Sequence, residues 1–143
     1  MKYKEIYHKI LVGRFYAKKN SSNSIWNHYT KKLIRTTSAN YKGWEKDAMM
    51  QLGRSVNGKF LHNKERIKEI DFPVILKCHF YNYDKRRRDI SNYYEGLQDL
   101  LVDAGILIDD NYTIVKGHDG SRMFVDTENP RIEFWILEEV SEG

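Results

Sequence analysis

The segment Phe72–Tyr83 constrains the fold more than any other part of the chain. Apolar and polar side chains alternate along it, with Val74, Leu76, Cys78 and Phe80 in one set and Lys77, His79 and Tyr81 in the other. Successive side chains of a strand point to opposite faces of a sheet, so this alternation predicts a strand with one buried face. Cys78 is then a small buried apolar residue.

A helix is predicted from Ile90 to Ala104, directly after this strand. Its apolar residues recur at helical spacing and form one stripe, made of Tyr93, Leu97, Leu100, Leu101 and Ala104. Gly105 stands where a C-terminal cap belongs. A strand followed by an amphipathic helix is typical of a sheet that carries helices on its face.

The remaining elements are predicted from weaker patterns. Strands are expected at 5–16, 33–36, 112–117 and 131–137, with a polar loop at 18–24. A first helix is expected from an N-cap at Ser38 to about Ser55, before Asn57–Gly58, with its stripe made of Tyr41, Trp44, Ala48, Met49, Leu52 and Val56. The order β-β-α-β-α-β-β predicts a single α/β domain over 1–143, a mixed β-sheet with two main helices packed on it. Residues 117–122 are expected to connect two strands, more simply as a hairpin turn than as a phosphate contact.

Composition narrows the class of protein. The chain has 143 residues, 13% aromatics and a mean hydropathy of -0.70, which argues against disorder. No stretch approaches the roughly 20 apolar residues of a membrane span, no signal peptide is evident, and the single cysteine excludes a disulfide framework. We therefore expect a soluble cytoplasmic protein without a membrane partner.

The charges are distributed unevenly along the chain. Through Ile70 there are 16 Lys and Arg against 5 Asp and Glu, whereas the remainder has 8 against 15. This asymmetry fits a surface that binds a polyanion such as DNA, joined to a separate acidic cluster. The cations that we expect to contact DNA are Lys18, Lys19, Lys31, Lys32, Arg35, Lys85, Arg86, Arg87, Arg88, Lys116 and Arg122.

Carboxylates gather on and around the second helix. Helical geometry places Asn92, Glu95, Asp99 and Asp103 on one side of it, opposite the apolar stripe. Asp89 stands just before the helix, Asp109 and Asp110 follow it, and Lys85–Arg88 directly precede Asp89. For an isolated helix a solvated acidic face is the simpler interpretation. Carboxylates beside a basic run also suit a site in which Mg²⁺ and cations hold a phosphodiester.

The stretch from Arg86 to Asp110 resembles the RusA-type Holliday-junction resolvases. The matching residues are Arg86-Arg87-Arg88-Asp89-Ile90-Ser91-Asn92, then Gln98-Asp99-Leu100-Leu101, Ala104-Gly105-Ile106 and Asp109-Asp110. The resemblance implies a RusA-like fold, a homodimer and Mg²⁺-dependent (or Mn²⁺-dependent) cleavage of four-way junctions. It assigns essential roles to Asp89 and Asp110, with Asp109, Asn92 and Asp99 at supporting positions.

Two motif positions depart from that family. Ser91 replaces an aspartate and Glu95 replaces a lysine. Our hypothesis is that Glu95 substitutes for the missing carboxylate, so that Asp89, Glu95 and Asp110 are catalytic and bind the metal with Asp109. The predicted function is a crossover-junction endodeoxyribonuclease. Two alternatives stay open: a non-catalytic DNA-binding or regulatory module of a mobile element, and a single-strand binder that uses Trp26, Tyr29 and Tyr81 as stacking platforms.

Overall fold

A computed structural model describes residues 2–16, 22–37, 39–53 and 69–141, with side chains except those of 22–27 and 33–37. The elements in chain order are β1 (Lys2–Val12), β2 (Ser22–Asn27), β3 (Lys32–Thr37), α1 (Ala39–Gln51), β4 (Val74–Asn82), α2 (Ile90–Asp103), β5 (Val115–Gly117), β6 (Arg122–Val125) and β7 (Arg131–Val140). The fold is α/β, with a mixed five-stranded sheet and two helices.

The main sheet is built around β4. Its order is β1-β7-β4-β5, and β6 also pairs with β4. The β1–β7 and β7–β4 pairs are antiparallel, whereas β5 and β6 both run parallel to β4. The segment β4–α2–β5 is therefore a parallel crossover unit. β2 and β3 form a separate antiparallel pair.

Both helices contribute their apolar side chains to the core on one face of this sheet. The stripes predicted for them are buried, from Tyr41 and Leu52 in and after α1 to Leu97 and Leu101 in α2. The predicted alternation of β4 is confirmed, because Leu76, Cys78 and Phe80 are at most 1% exposed. The cap at Gly105 is also confirmed, since its φ of 74° is the left-handed conformation that glycine tolerates.

Several predicted elements need correction. β2 starts at Ser22, inside the predicted polar loop, and β6 was not predicted, so the order β-β-α-β-α-β-β lacks two strands. The first helix ends at Gln51, and Gly53, with φ of 73°, follows it. The predicted Val56 and Asn57–Gly58 lie outside the described residues. The strand predicted from Tyr112 begins only at Val115, and the last strand extends to Val140.

The predicted hairpin turn at 117–122 is wrong. β5 and β6 pair in the same direction with the same edge of β4, so residues 118–121 interrupt one edge instead of reversing the chain. Ser121 fills the interruption, because its Oγ accepts a hydrogen bond of 2.9 Å from the backbone N–H of Cys78. The loop thus supplies a side-chain partner where the ladder lacks a backbone one.

Candidate functional site

The basic run lies in the loop that connects β4 to α2, and Arg88 fixes the shape of that loop. Its Nη1 donates to the carbonyl oxygens of Asp84 (3.2 Å) and Arg86 (3.0 Å), and its Nη2 forms an ion pair with the Asp84 carboxylate. The Arg88 guanidinium, followed by the backbone N–H of Arg86, lowers the pKa of Asp84. Arg88 is thus mainly engaged within the protein, with 18% of its side chain exposed.

The other three cations of the run project into solvent. Lys85, Arg86 and Arg87 are exposed. Arg86 retains 81% side-chain exposure, although its Nε lies 3.6 Å from an oxygen of Asp84. Exposed pairs of this length contribute little to stability, so Arg86 is available to an anionic ligand.

Asn82 anchors the end of β4 beside this loop. Its Oδ1 accepts a hydrogen bond of 2.7 Å from the Tyr93 hydroxyl on α2, and its Nδ2 donates to the carbonyl of Phe124 on β6 at 3.1 Å. The start of α2 and the end of β6 are therefore tied to one residue. Nothing in the sequence pattern singled out Asn82, because its role depends on the topology.

Asp89 and Asn92 begin α2 in different environments. Asp89 is the exposed N-cap; its carbonyl accepts from the backbone N–H of Asn92 (3.1 Å), and its side chain makes no capping hydrogen bond. Helical spacing predicts Asn92 on the solvated acidic side of α2, but Asn92 is only 9% exposed. Glu95 and Asp103 are exposed as expected, and Asp99 is half-buried.

Three carboxylates come together where the chain folds back along α2. Burial raises the pKa of Asp110, and the neighbouring charges of Asp99 and Asp109 raise it further. The backbone N–H of Asp110 also donates to Asp109 Oδ1 at 2.7 Å. Asp99, predicted as a supporting residue, is therefore an electrostatic neighbour of Asp110. We call Asp99, Asp109 and Asp110 the acidic cluster.

Helix geometry separates Asp89 from the acidic cluster but leaves Glu95 one turn from Asp99. At about 1.5 Å of rise per residue, Asp89 lies roughly 15 Å along the axis from Asp99, and Glu95 roughly 6 Å. Within the described ranges, no group of three or more His, Cys, Asp or Glu side chains is arranged to hold a metal ion. Asp99 and Asp109 are therefore electrostatic neighbours of Asp110, although the three carboxylates are not arranged as the ligands of one ion.

The predicted DNA-contacting cations outside the loop have varied surroundings. Lys31 and Lys32 are exposed beside the β2–β3 turn, and Lys116 pairs with Glu139 at 3.3 Å. Arg122 is exposed on β6 and donates to the carbonyl of Ser121. Arg35 belongs to β3 without a described side chain, and Lys18 and Lys19 lie outside the described residues.

A pocket of about 300 Å³ beside the basic loop was not predicted. It is lined by Asn82, Asp84, Lys85, Arg86, Arg88, Met123, Phe124 and Val125. One wall is cationic and the other apolar, since β6 supplies its last three residues to the pocket. Because β6 was not predicted, a pocket lined by its residues could not be predicted either.

Comparisons with known proteins add no family assignment. Neither a scan against protein-family models nor a search of curated proteins gives a match to this chain. In the described part of the chain, no helix is long and apolar enough to span a membrane.

Proposed function

We propose that this protein is a metal-dependent endonuclease that cuts four-way or other branched DNA. The observation that carries the proposal is the position of Asp110, a half-buried carboxylate with two further carboxylates beside it. Like charges in a partly desolvated position favour the binding of a cation. The exposed cations Lys85, Arg86 and Arg87 precede the helix that carries Asp99, and the resemblance to RusA-type resolvases covers this stretch.

The acidic cluster suits Mg²⁺ in the chemistry of its donors. Mg²⁺ prefers hard oxygen ligands, and one or two carboxylates are sufficient when water and substrate phosphates complete the octahedron. Asp99 and Asp110 would hold the ion, with Asp109 beside them. A bound Mg²⁺ lowers the pKa of water and stabilises charge on phosphodiester oxygens.

The protein's own part in the reaction is to hold the substrate and the attacking water. The exposed cations of the loop neutralise backbone phosphates and fix the register of the strand. The roughly 15 Å of helix between Asp89 and Asp99 corresponds to about four steps of 3.4 Å along one DNA strand. In the cleavage, a water oxygen bonds to phosphorus and loses a proton to solvent, the bond from phosphorus to the 3′ oxygen breaks, and that oxygen takes up a proton, which leaves a 5′-phosphate and a 3′-hydroxyl.

A homodimer forms part of the proposal. A four-way junction has two-fold symmetry and its resolution needs two matched cuts. A two-fold symmetric dimer presents two equivalent acidic clusters to such a substrate.

The test is cleavage of a labelled synthetic four-way junction by the purified protein, with and without Mg²⁺. We expect Asp110→Asn to abolish cleavage and to retain junction binding, because it removes a metal ligand and also reduces repulsion toward phosphate. Glu128→Gln is the matched control. Glu128 is exposed between β6 and β7, near the end of β4 that is farther from Asp110. Binding without metal-stimulated cleavage by the unaltered protein would refute the enzyme and favour the DNA-binding module.

The same assay identifies the carboxylates that hold the metal. If Glu95 substitutes for the carboxylate missing at Ser91, Glu95→Gln and Asp89→Asn lose cleavage together. If the acidic cluster is the metal site, Asp99→Asn loses cleavage and Glu95→Gln cleaves like the unaltered protein.

A further inference from the structure

The carboxyl ends of β1 and β4 lie at the same edge of the sheet. Both strands pair antiparallel with β7, which lies between them. The register places Val12 of β1 and Tyr81 of β4 opposite the same residue, Arg131. Since neighbouring strands are about 4.8 Å apart, the segments that follow Val12 and Tyr81 begin about 10 Å from each other. The chain after β1 is therefore a neighbour of the basic loop after β4.

This arrangement places Arg14 beside two tyrosine rings. The Cζ atom of Arg14 lies 4.7 Å from the centroid of the Tyr83 ring and 5.0 Å from that of Tyr16. Both distances are within the roughly 6 Å at which a cation and an aromatic ring attract each other. Arg14 is exposed, and so is Tyr83, at 44%. The rings attract the charge of the guanidinium without using its N–H donors, so those donors remain available to a ligand.

The backbone on both sides of Arg14 is fixed. The backbone N–H of Gly13 donates a hydrogen bond of 3.0 Å to the carbonyl of Pro130. The ring of Phe15 packs against Tyr93 in the core, with centroids 4.5 Å apart. The side chain of Arg14 therefore extends from an ordered backbone, which reduces the entropy that binding a ligand would cost.

The charges at this edge are mostly positive. Residues 83–89 contain four cations and two carboxylates, and Arg88 forms an ion pair with one of those carboxylates, Asp84. Among the residues that the structure describes, no carboxylate forms an ion pair with Arg14. The edge therefore has an excess of cations that attracts anions.

Arg14 and the basic loop surround the same part of the molecule. Burial raises the pKa of Tyr93, and the charges of Arg88 and Arg14 partly oppose that rise, so both guanidinium groups lie near the Tyr93 hydroxyl. We give the name basic edge to the four exposed cations of this region, Arg14, Lys85, Arg86 and Arg87.

We propose that the basic edge binds the sugar–phosphate backbone of a DNA arm, with Arg14 as a phosphate contact that Tyr16 and Tyr83 hold in position. The planar fork of an arginine matches two oxygens of a phosphate. Arg14 is absent from the cations that the sequence predicts for DNA, because only the strand register brings it to the basic loop. The inference rests on the proposed function for the identity of the anion, but it does not depend on cleavage.

The test is fluorescence anisotropy of a labelled four-way junction with duplex arms, in EDTA and at several salt concentrations. Arg14→Gln should weaken binding about tenfold and reduce the slope of log affinity against log salt by about 0.9, the value for one phosphate contact on a duplex. Lys4→Gln is the control, because it removes the same charge roughly 26 Å of strand before Val12. Unchanged affinity and slope in Arg14→Gln, or an equal loss in Lys4→Gln, would overturn the inference.

Arg14→Lys separates the charge from the shape of the guanidinium. Lysine keeps the charge and loses the fork, so the salt slope should stay as in the unaltered protein and the affinity should fall less than in Arg14→Gln. A slope that Arg14→Lys and Arg14→Gln reduce equally would contradict a phosphate contact at this position.

The positioning role of Tyr83 has its own test. Tyr83→Leu should weaken junction binding about 2- to 5-fold, which is the strength of an exposed contact between a cation and a ring, and Tyr83→Phe should bind like the unaltered protein. If Tyr83 acts through Arg14, Tyr83→Leu has no further effect in the Arg14→Gln background. An equal loss in both backgrounds would refute the positioning role.

Two further outcomes separate this inference from its alternatives. Polyglutamate at the same concentration of charge should not displace the junction, and displacement would show a general affinity for acidic chains and refute DNA as the ligand. A junction that Arg14→Gln binds and cleaves like the unaltered protein would refute only the basic edge. Junction binding that depends on Arg14, without cleavage stimulated by Mg²⁺, would refute only the nuclease.

Discussion

Two helical glycines should respond in opposite directions to the same substitution. Alanine is favoured over glycine by roughly 1 kcal/mol in a helix interior. At Gly43, on α1, an added Cβ meets no atom within 4 Å, so Gly43→Ala should stabilise the protein by about 0.5–1 kcal/mol. At Gly96, on α2, the added Cβ would lie 2.9 Å from Phe15 Cζ and 3.3 Å from its Cε2.

The outcome at Gly96 depends on whether the Phe15 ring can move. Phe15 packs edge-on against Trp44, with centroids 4.6 Å apart, and against Tyr93 at 4.5 Å. A shift away from Gly96 therefore disturbs two further aromatic contacts. Overpacking of this kind costs about 1–3 kcal/mol. After subtraction of the helix preference of alanine, Gly96→Ala should destabilise the protein by about 1 kcal/mol, a difference of about 2 kcal/mol from Gly43→Ala.

Urea unfolding followed by far-ultraviolet circular dichroism measures both free energies. Phe15→Leu in the Gly96→Ala background tests the cause, because a smaller side chain at position 15 should make the alanine less harmful than it is in the unaltered protein. If Gly96→Ala is as stabilising as Gly43→Ala, the ring yields freely and the reasoning about close packing is wrong.

Three further perturbations test other parts of the fold. Ser121→Ala should cost about 1–3 kcal/mol of unfolding free energy, because it leaves the buried N–H of Cys78 without its acceptor; exposed Ser91→Ala is the control in urea unfolding. Burial lowers the pKa of His118, with Asp119 partly opposing, so the unfolded chain takes up the proton first and stability should fall as the pH drops below about 6.5. That slope should vanish in His118→Gln, whereas an equal slope in both proteins would exclude His118 as its source. Burial also raises the pKa of Cys78, so an aromatic disulfide reagent should leave it unmodified in the native protein and modify it in urea; rapid native labelling would contradict its burial.

The elements with strong periodicity were predictable and the irregular ones were not. β4 and α2 each have a buried face that repeats several times, and their predicted ranges differ from the observed ones by a few residues at most. β6 has four residues, and it follows a segment rich in turn-forming residues that predicts a hairpin. Only the parallel pairing with β4 makes it a strand, and that pairing depends on the whole crossover unit.

The same distinction applies to the candidate site. Helical spacing correctly groups Glu95, Asp99 and Asp103 on one side of α2, because that requires only the rise and turn of a helix. Helical spacing gives no information on where the chain after α2 folds back and places Asp110 beside the helix. The return is set by contacts of the following segment, such as the backbone hydrogen bond of 3.0 Å from Ile108 to Ile70. The hypothesis that Glu95 joins Asp89 and Asp110 comes from the two departures from the resolvase motif, and that motif contains no information on the return of the chain either.

Asn82 connects the helix that carries Asp99 to the edge strand β6. Through Tyr93 it fixes the first turn of α2, the helix that carries Asp99 of the acidic cluster. Through the carbonyl of Phe124 it fixes the edge strand that forms the apolar wall of the pocket. Because both bonds come from one side-chain amide at the end of β4, a rotation of that amide would disturb both elements. The start of α2 and the edge strand thus share one rigid support, which is what precise positioning of groups on different elements requires.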